Sequence, residues 1–116
     1  MTIENVKIKS TFLGREDHGI LTCYLTLEGG GFGVSVGGYA LDWYDEIKGI
    51  RIPVQKGFKL IDRIMKVVGV SSWEELTGKY IRIEHDGPGR RVTKIGHLMN
   101  NEWLDFEEFF REGIDE

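Results

Sequence analysis

The chain has 116 residues, of which 41% are hydrophobic and 29% charged, and a mass of 13.3 kDa. These values are typical of one soluble globular domain and argue against a disordered, fibrous or membrane-spanning chain. Its apolar runs fall short of the ~20 residues that cross a bilayer, and no signal-peptide pattern opens it. The single Cys23 forms no internal disulfide. We therefore expect residues 1–116 to form a single domain in the cytoplasm.

The acidic residues are concentrated in one segment. Residues 100–116 carry seven acidic residues and one basic residue, for a net charge of −6, whereas residues 1–99 carry +2. Such a segment either stays solvated or contacts a basic protein surface. Duplex DNA binding needs clustered Lys and Arg, which the rest of the chain scatters among acids. Direct DNA binding is therefore not expected.

Alternating apolar residues predict three strands in the first third of the chain, over residues 6–13, 21–27 and 32–37. A turn over residues 14–19 and the glycines at 29–31 separate them, so the three strands form an antiparallel meander. Residues 38–56 mix turn-formers with aromatic residues and contain Pro53. We interpret this segment as an irregular loop.

The second half of the chain predicts helices and a hairpin. Apolar residues at helical spacing indicate the main helix over residues 57–69, with Gly69 as a left-handed cap. Ser72 and Glu75 are typical of a capping box that opens a short helix ending at Gly78. Strands over 80–85 and 91–99 form a hairpin, and a last short helix begins at Asp105.

Together these elements predict an α+β fold. We expect an antiparallel sheet of about five strands, made of the β-meander and the β-hairpin, with the main helix packed on it and short helices after it. Such a sheet leaves an edge or a face open, and a second copy of the chain is one way to cover it. A homodimer is therefore among the expectations.

The glycine-rich stretch 29–38 resembles a phosphate-binding loop only superficially. It lacks the Gly-Lys-Ser/Thr ending of a Walker loop, and it does not match the dinucleotide fingerprint. We interpret it as a hairpin turn and a strand thinned for close packing. The alternative is that a ligand or partner approaches the bare backbone at Gly37 and Gly38.

The sequence offers little support for catalysis or metal binding. Asp17 and His18 resemble the base half of a triad, but no Ser or Cys lies in a recognisable nucleophile turn, and the histidines lack zinc spacing. No enzymatic activity, metal or cofactor is expected. Aromatic residues in predicted loops point instead to binding, unless Trp43 and Trp103 merely close the ends of the core. The candidate ligand- or partner-binding residues are Asp17, His18, Gly37, Gly38, Tyr39, Asp42, Trp43, Arg90, Arg91, His97, Trp103, Glu107 and Glu108.

Four sequence blocks carry a resemblance to a known group. They are GREDHGILT over residues 14–22, GGYALD over 37–42, SSWEELTGK over 71–79 and IGH over 95–97. The chain resembles, over roughly residues 9–103, a family of small phage and prophage accessory proteins that have no settled function. The resemblance implies a biological context, and the family supplies no catalytic residues.

The resemblance implies that the chain acts by binding inside an infected or lysogenic bacterial host. One reading is an anti-CRISPR-like inhibitor that covers a host defence protein and presents Glu102, Asp105, Glu107 and Glu108 to a basic groove. An alternative is a sponge for a signalling nucleotide, as in anti-CBASS and anti-Thoeris proteins, which would use the glycine backbone, Tyr39, Trp43 or Trp103 and an arginine. A third is an accessory role in phage assembly or replication.

Overall fold

The fold consists of two antiparallel sheets and two helices. The computed structural model describes residues 2–29, 32–87 and 91–111, without the Phe32 side chain. A six-stranded sheet has the strand order β3-β2-β1-β6-β7-β8, and β4 and β5 form a separate hairpin. In chain order the elements are β1 (Thr2–Glu16), β2 (Ile20–Gly29), β3 (Phe32–Ala40), β4 (Asp42–Asp45), β5 (Ile50–Pro53), α1 (Gln55–Val68), a 3₁₀ turn (Trp73–Leu76), β6 (Tyr80–His85), β7 (Lys94–Gly96), β8 (Trp103–Asp105) and α2 (Phe106–Arg111).

The long strand β1 organises the sheet because its two halves have different neighbours. β2 pairs with β1 from Lys7 to Glu16, whereas β6 pairs only with the first part, from Thr2 to Lys7. The register with β2 shifts between Ile8 and Ser10, which is a β-bulge at Lys9. The second half of β1 therefore has a strand on one side only.

One face of the sheet forms the core. The alternation of β2 buries Cys23, Leu25 and Leu27, and β6 buries Ile81 and Ile83 in the same way. The apolar stripe of α1 belongs to the same core and lies closest to β7 and β8. The end of α1 is capped by Gly69, whose φ is 93° and whose N–H donates to Met65 O at 2.8 Å. The core side chains that α1 contributes are Leu60, Ile64, Val67 and Val68.

The predicted α+β class, the meander, the main helix and its cap are confirmed. The prediction of an irregular loop over residues 38–56 is wrong, because these residues complete β3, form the β4–β5 hairpin and start α1. Pro53 is compatible with this hairpin since it ends β5, at a sheet edge where its missing N–H costs no ladder bond.

Three smaller predictions need correction. The main sheet has six strands, one more than predicted. The additional strand, β8, has only three residues, too few to show an alternating pattern in the sequence. The strand predicted over 91–99 is limited to Lys94–Gly96. At the capping box, the Ser72 side chain makes no cap bond, and Glu75 Oε1 instead accepts the Ser71 N–H at 3.1 Å at the start of the 3₁₀ turn. Within the described ranges, no helix is long and apolar enough to cross a membrane.

Candidate interaction surface

The β4–β5 hairpin is anchored at its base by Asp42, whose carboxylate is buried. Asp42 Oδ1 accepts a hydrogen bond from Arg51 Nη2 at 2.9 Å. Asp42 Oδ2 accepts one from the Leu21 N–H at 3.1 Å and one from Arg15 Nη1 at 3.3 Å. These bonds join β4 to β5, β2 and β1 through one side chain. Asp42 therefore fixes the hairpin to the main sheet.

The electrostatics of Asp42 suit an anchor. Burial alone raises the pKa of a carboxyl group. Here the hydrogen bonds from Arg51 and from the Leu21 N–H, with the charges of Arg51 and Arg15, outweigh burial and lower the pKa of Asp42 below its ordinary value. Asp42 in turn raises the pKa of Arg51. The carboxylate is thus a compensated anion at neutral pH, which is unsuited to exchanging protons as an acid or base.

Leu41, just before β4, contacts β2, the residue after β5 and Gly57 of α1. The Leu41 N–H donates to Leu21 O at 2.8 Å, and Leu41 O accepts the Val54 N–H at 3.1 Å. A Cβ atom at Gly57, in the first turn of α1, would lie 2.9 Å from the Leu41 Cβ. Only glycine allows this approach without movement of Leu41. The base of the hairpin therefore packs closely against the start of α1.

The outer part of the hairpin is apolar and exposed. We call Trp43, Tyr44, Ile47 and Ile50 the hairpin surface; Trp43 is 51% exposed and Ile47 is 96% exposed. The turn that carries Ile47 is ordered, since Asp45 Oδ1 accepts the N–H groups of Ile47 at 2.9 Å and Lys48 at 3.2 Å. Trp43 and Ile50 lie on the same face of the hairpin, because Ile50 pairs with Asp45, whereas Tyr44 lies on the opposite face. Exposed apolar residues grouped on one short hairpin are typical of interaction sites.

Asp17 and His18 lie near the base of the hairpin. They form the exposed turn between β1 and β2 with positive φ angles of 55° and 69°. Arg15 links this turn to Asp42, because its Nη1 donates to both Gly19 O and Asp42 Oδ2. The fold thus gathers Asp17, His18, Asp42 and Trp43 at one end of the molecule. Cys23 is buried, and burial raises the pKa of its thiol to about 12, so it supplies no thiolate at neutral pH.

Gly37 and Gly38 lie at a β-bulge of β3, in which Gly38 and Tyr39 face Cys23. Both have positive φ angles, and a Cβ atom at Gly37 would lie 2.9 Å from Cys23 O. The next residue, Tyr39, packs its ring on Phe106 and Phe110, with centroids 5.5 and 4.7 Å away. Burial raises the pKa of Tyr39, against the opposing charge of Arg91. The close approach to Cys23 O accounts for Gly37, whereas at Gly38 the positive φ angle of 84° favours glycine, and a Cβ atom there would meet no described atom within 4 Å.

Arg91 and the acidic residues of α2 lie near Tyr39. The Arg91 guanidinium is 5.1 Å from the centre of the Tyr39 ring. Glu107 and Glu108 are exposed on α2, while Phe106 and Phe109 of the same helix are buried. The acidic face of α2 therefore points away from the core. Arg90 and residues 112–116, which include three of the acids of the predicted acidic segment, lie outside the described residues.

His97 and Trp103 lie at the β7–β8 edge and have local structural roles. His97 Nδ1 accepts the N–H groups of Met99 at 3.0 Å and Asn100 at 2.9 Å, which orders the loop between the two strands. Trp103 packs on Gly96, where a Cβ atom would lie 2.6 Å from the ring. The Arg82 guanidinium also lies over the Trp103 ring, 4.7 Å from the ring centre.

Two cavities of the described structure differ in size and lining. One of about 500 Å³ lies between β1 and the 3₁₀ turn and is lined by Thr11, Phe12, Leu13, Trp73, Glu74 and Thr77. Another, beside Trp103 and Arg63, has about 40 Å³, well below the ~300 Å³ of small ligand sites. In the part of the chain that the structure describes, no group of three or more His, Cys, Asp or Glu could hold a metal ion.

Several residues of the hairpin surface and of the hairpin base were not among the sequence candidates. They are Arg15, Tyr44, Ile47, Ile50 and Arg51. A usable signal existed, because the segments DWYD and IRIP flank a four-residue turn that ends at Gly49, whose φ is 69°. Such a pattern is typical of a short hairpin. The mixture of aromatic and charged residues obscured it.

Comparisons with known proteins identify no relative. No protein-family model matches the chain, and neither the search of curated proteins nor that of solved structures finds a match. Apart from the resemblance carried by the four sequence blocks, the functional argument therefore depends on the geometry of the chain itself.

Proposed function

We propose that this chain is a non-enzymatic binding protein that inhibits a host defence system by covering a host protein, in the cytoplasm of an infected or lysogenic bacterium. The observation that carries the proposal is the hairpin surface, where Trp43, Tyr44, Ile47 and Ile50 are at least half exposed. The phage context comes from the sequence resemblance alone.

The hairpin surface has the properties of a preformed protein-binding site. Its aromatic residues are those that dominate the energy of protein interfaces. Its base is fixed by Asp42 and Gly57, and its turn is ordered by Asp45, so little conformational entropy is lost when a partner binds. The exposed parts of these four apolar side chains add nothing to the stability of the chain on its own.

The acidic face of α2 supports a basic partner. Glu107 and Glu108 are exposed, and the sequence of residues 100–116 has a net charge of −6. Complementary charge speeds association and orients the partner on the apolar surface. Host proteins that bind nucleic acid expose basic grooves, whose charge is opposite to that of α2. We therefore expect the partner to be a nucleic-acid-binding defence protein of the CRISPR–Cas type.

The nucleotide-sponge alternative has less support. The residues suggested for it are dispersed: Tyr39 packs on α2, Trp43 lies on the hairpin, and Trp103 lies at the β7–β8 edge. Among the described residues, Glu74 lines the 500 Å³ cavity and no basic residue does, which is an unfavourable environment for phosphates. An accessory role in phage assembly or replication would use the same hairpin surface on a different partner.

The test is a plaque assay in bacteria that carry an active CRISPR–Cas system and express the chain. We expect phage plating to be restored by the wild-type chain and abolished by W43A/I50A, with a weaker loss for E107K/E108K. The control is M99A, which removes an exposed apolar residue at the β7–β8 edge and should remain active. Full activity of W43A/I50A would contradict the proposal.

A thermal-shift screen of the purified protein separates the alternatives. Cyclic oligonucleotides and ADP-ribose derivatives should leave the melting temperature unchanged, because the proposed site binds protein. A shift of several degrees with one nucleotide, as expected for ligand near saturation, would favour the sponge instead.

A further inference from the structure

The second half of β1, the longest strand in the described chain, has an unpaired edge. Ile8 is the last β1 residue bonded on the β6 side: its N–H donates to Lys79 O and its C=O accepts the Gly78 N–H, both at 2.8 Å. Beyond the bulge at Lys9, β1 continues to Glu16 with β2 as its single described neighbour. About half of this strand therefore has no partner on one side.

The register identifies which backbone groups are unpaired. Leu21 directs its C=O to the Leu41 N–H and its N–H to Asp42, both on the β3 side of β2. Alternate residues of a strand point the same way, so Cys23 and Leu25 also face β3. The β1 residues opposite Leu21, Cys23 and Leu25 therefore belong to non-hydrogen-bonded pairs, and their N–H and C=O groups point away from β2. These partners are Thr11, Leu13 and Arg15, whose N–H and C=O groups we call the free β1 edge.

A groove runs beside the free β1 edge. It is the cavity of about 500 Å³, with Thr11, Phe12 and Leu13 on one wall and Trp73, Glu74 and Thr77 on the other. Leu13 is 42% exposed and Trp73 is partly buried against the core. The groove thus offers a row of unpaired backbone groups, three apolar side chains and one carboxylate, and no basic residue of the described chain lines it.

The other two edges of the main sheet are less suited to a new strand. β3 is interrupted by the bulge at Gly38 and Tyr39, and the positive φ angles of Gly37 and Gly38, 105° and 84°, turn the backbone away from a straight partner. β8 has three residues. The free β1 edge follows its own bulge and has no positive φ angle up to Glu16.

We propose that the free β1 edge binds an extended peptide segment of a protein partner by strand addition, with an apolar side chain between Leu13 and Trp73 and a Lys or Arg facing Glu74. The unpaired ladder groups require an extended backbone, and backbone pairing with side-chain pockets is a recurring mode of peptide recognition. Glu74, the charged residue of the groove, sets the sign of the peptide's charge. This site is independent of the hairpin surface.

The test starts from panning the purified protein against a random linear peptide library displayed on phage. The enriched consensus, made as a synthetic peptide, is titrated into isotope-labelled protein. We expect an apolar residue with a neighbouring Lys or Arg in the consensus, and the amide signals of Thr11, Leu13 and Arg15 should shift on titration. A library that yields no consensus, or shifts confined to other residues, would overturn the proposal.

The matched variants are L13P and L13A. The Leu13 N–H is unpaired, so proline is tolerated there as it is at other strand edges, while alanine keeps the donor. We expect L13P to bind the peptide about tenfold more weakly than L13A, the effect of losing one backbone hydrogen bond and its geometry. Equal binding by L13P and L13A would overturn the proposal, provided that both variants give the wild-type circular dichroism spectrum.

Hydrogen exchange of the protein alone provides a further check. The amides of Thr11, Leu13 and Arg15 should exchange rapidly, unlike those of Phe12 and Tyr24, which pair across β1 and β2. Protection of the edge amides that grows with protein concentration would show a second copy on the edge and overturn the peptide assignment. Because no defence protein is present in these experiments, their outcome is separate from that of the plaque assay.

Discussion

The base and the tip of the β4–β5 hairpin contain adjacent residues with opposite environments. Asp42 is charged and 6% exposed, whereas Trp43, the next residue, is aromatic and 51% exposed. The carboxylate is buried because three donors compensate it, and the indole is exposed because nothing in the described structure covers it. Here the polar residue stabilises the fold and the apolar residue is available to a partner, the reverse of the usual distribution.

The largest expected effect is at the base. D42A should destabilise the protein by about 2–3 kcal/mol, because it leaves the Leu21 N–H and the Arg51 guanidinium without their buried acceptor. Urea unfolding measures the change. D42N is the control, since it keeps the volume and one acceptor and should lose less. If D42A unfolded like the wild type, the base would not be an anchor.

A second test fills the contact between the hairpin segment and α1. G57A places a Cβ atom 2.9 Å from the Leu41 Cβ, and overpacking of this kind costs about 1–3 kcal/mol. The higher helix propensity of alanine offsets part of that cost. The matched control is G33A, where the nearest described atom, Leu27 O, is 3.8 Å away. Urea midpoints of the two variants should differ, and equal midpoints would contradict the close packing.

The charge of Asp42 predicts a pH dependence. Its pKa is lowered in the folded protein, so its stabilising contribution is complete above the unfolded value of about 4 and is lost as the pH falls through the lower folded value. Unfolding free energies measured between about pH 5 and about pH 2 should fall more steeply for the wild type than for D42N. The loss should be smaller than that in D42A, because a neutral carboxyl still accepts hydrogen bonds. Parallel curves would argue against this assignment.

The smallest effect on stability is expected at the tip. W43A should change the unfolding free energy by about 1 kcal/mol or less, since half of the side chain is already in water. Its effect on partner binding should be large by comparison. Differential scanning fluorimetry beside the plaque assay separates the two. A strongly destabilised W43A would mean that the indole is part of the folded core.

Periodicity predicted the regular parts of the fold well. The alternation of β2 and the apolar stripe of α1 are unambiguous, and both are present with nearly the predicted bounds. The failures occur where elements are short or where tertiary contacts decide. β8 has three residues and β7 has three, so their pairing depends on neighbours that the local sequence does not specify.

Among the candidate residues, too, the local sequence does not specify the tertiary contacts that decide whether a side chain is packed or exposed. Gly37, His97 and Trp103 are distinctive in sequence, yet the structure gives each a local packing or hydrogen-bonding contact. The exposure of Ile47 and Ile50 depends on the absence of any covering element, which no local pattern encodes. Trp43 was identified for its residue type, and whether it binds a partner is for the variants above to decide.

The divided pairing of β1 also has a consequence for the order of folding. β2 and β3 follow β1 directly, whereas β6 pairs with residues about 70 to 80 positions earlier in the chain, so closing that loop costs more entropy. The three-stranded meander should therefore gain amide protection first, and β6 should dock afterwards. During that interval the whole length of β1 is an open edge, and aggregation on refolding should depend on how quickly β6 arrives.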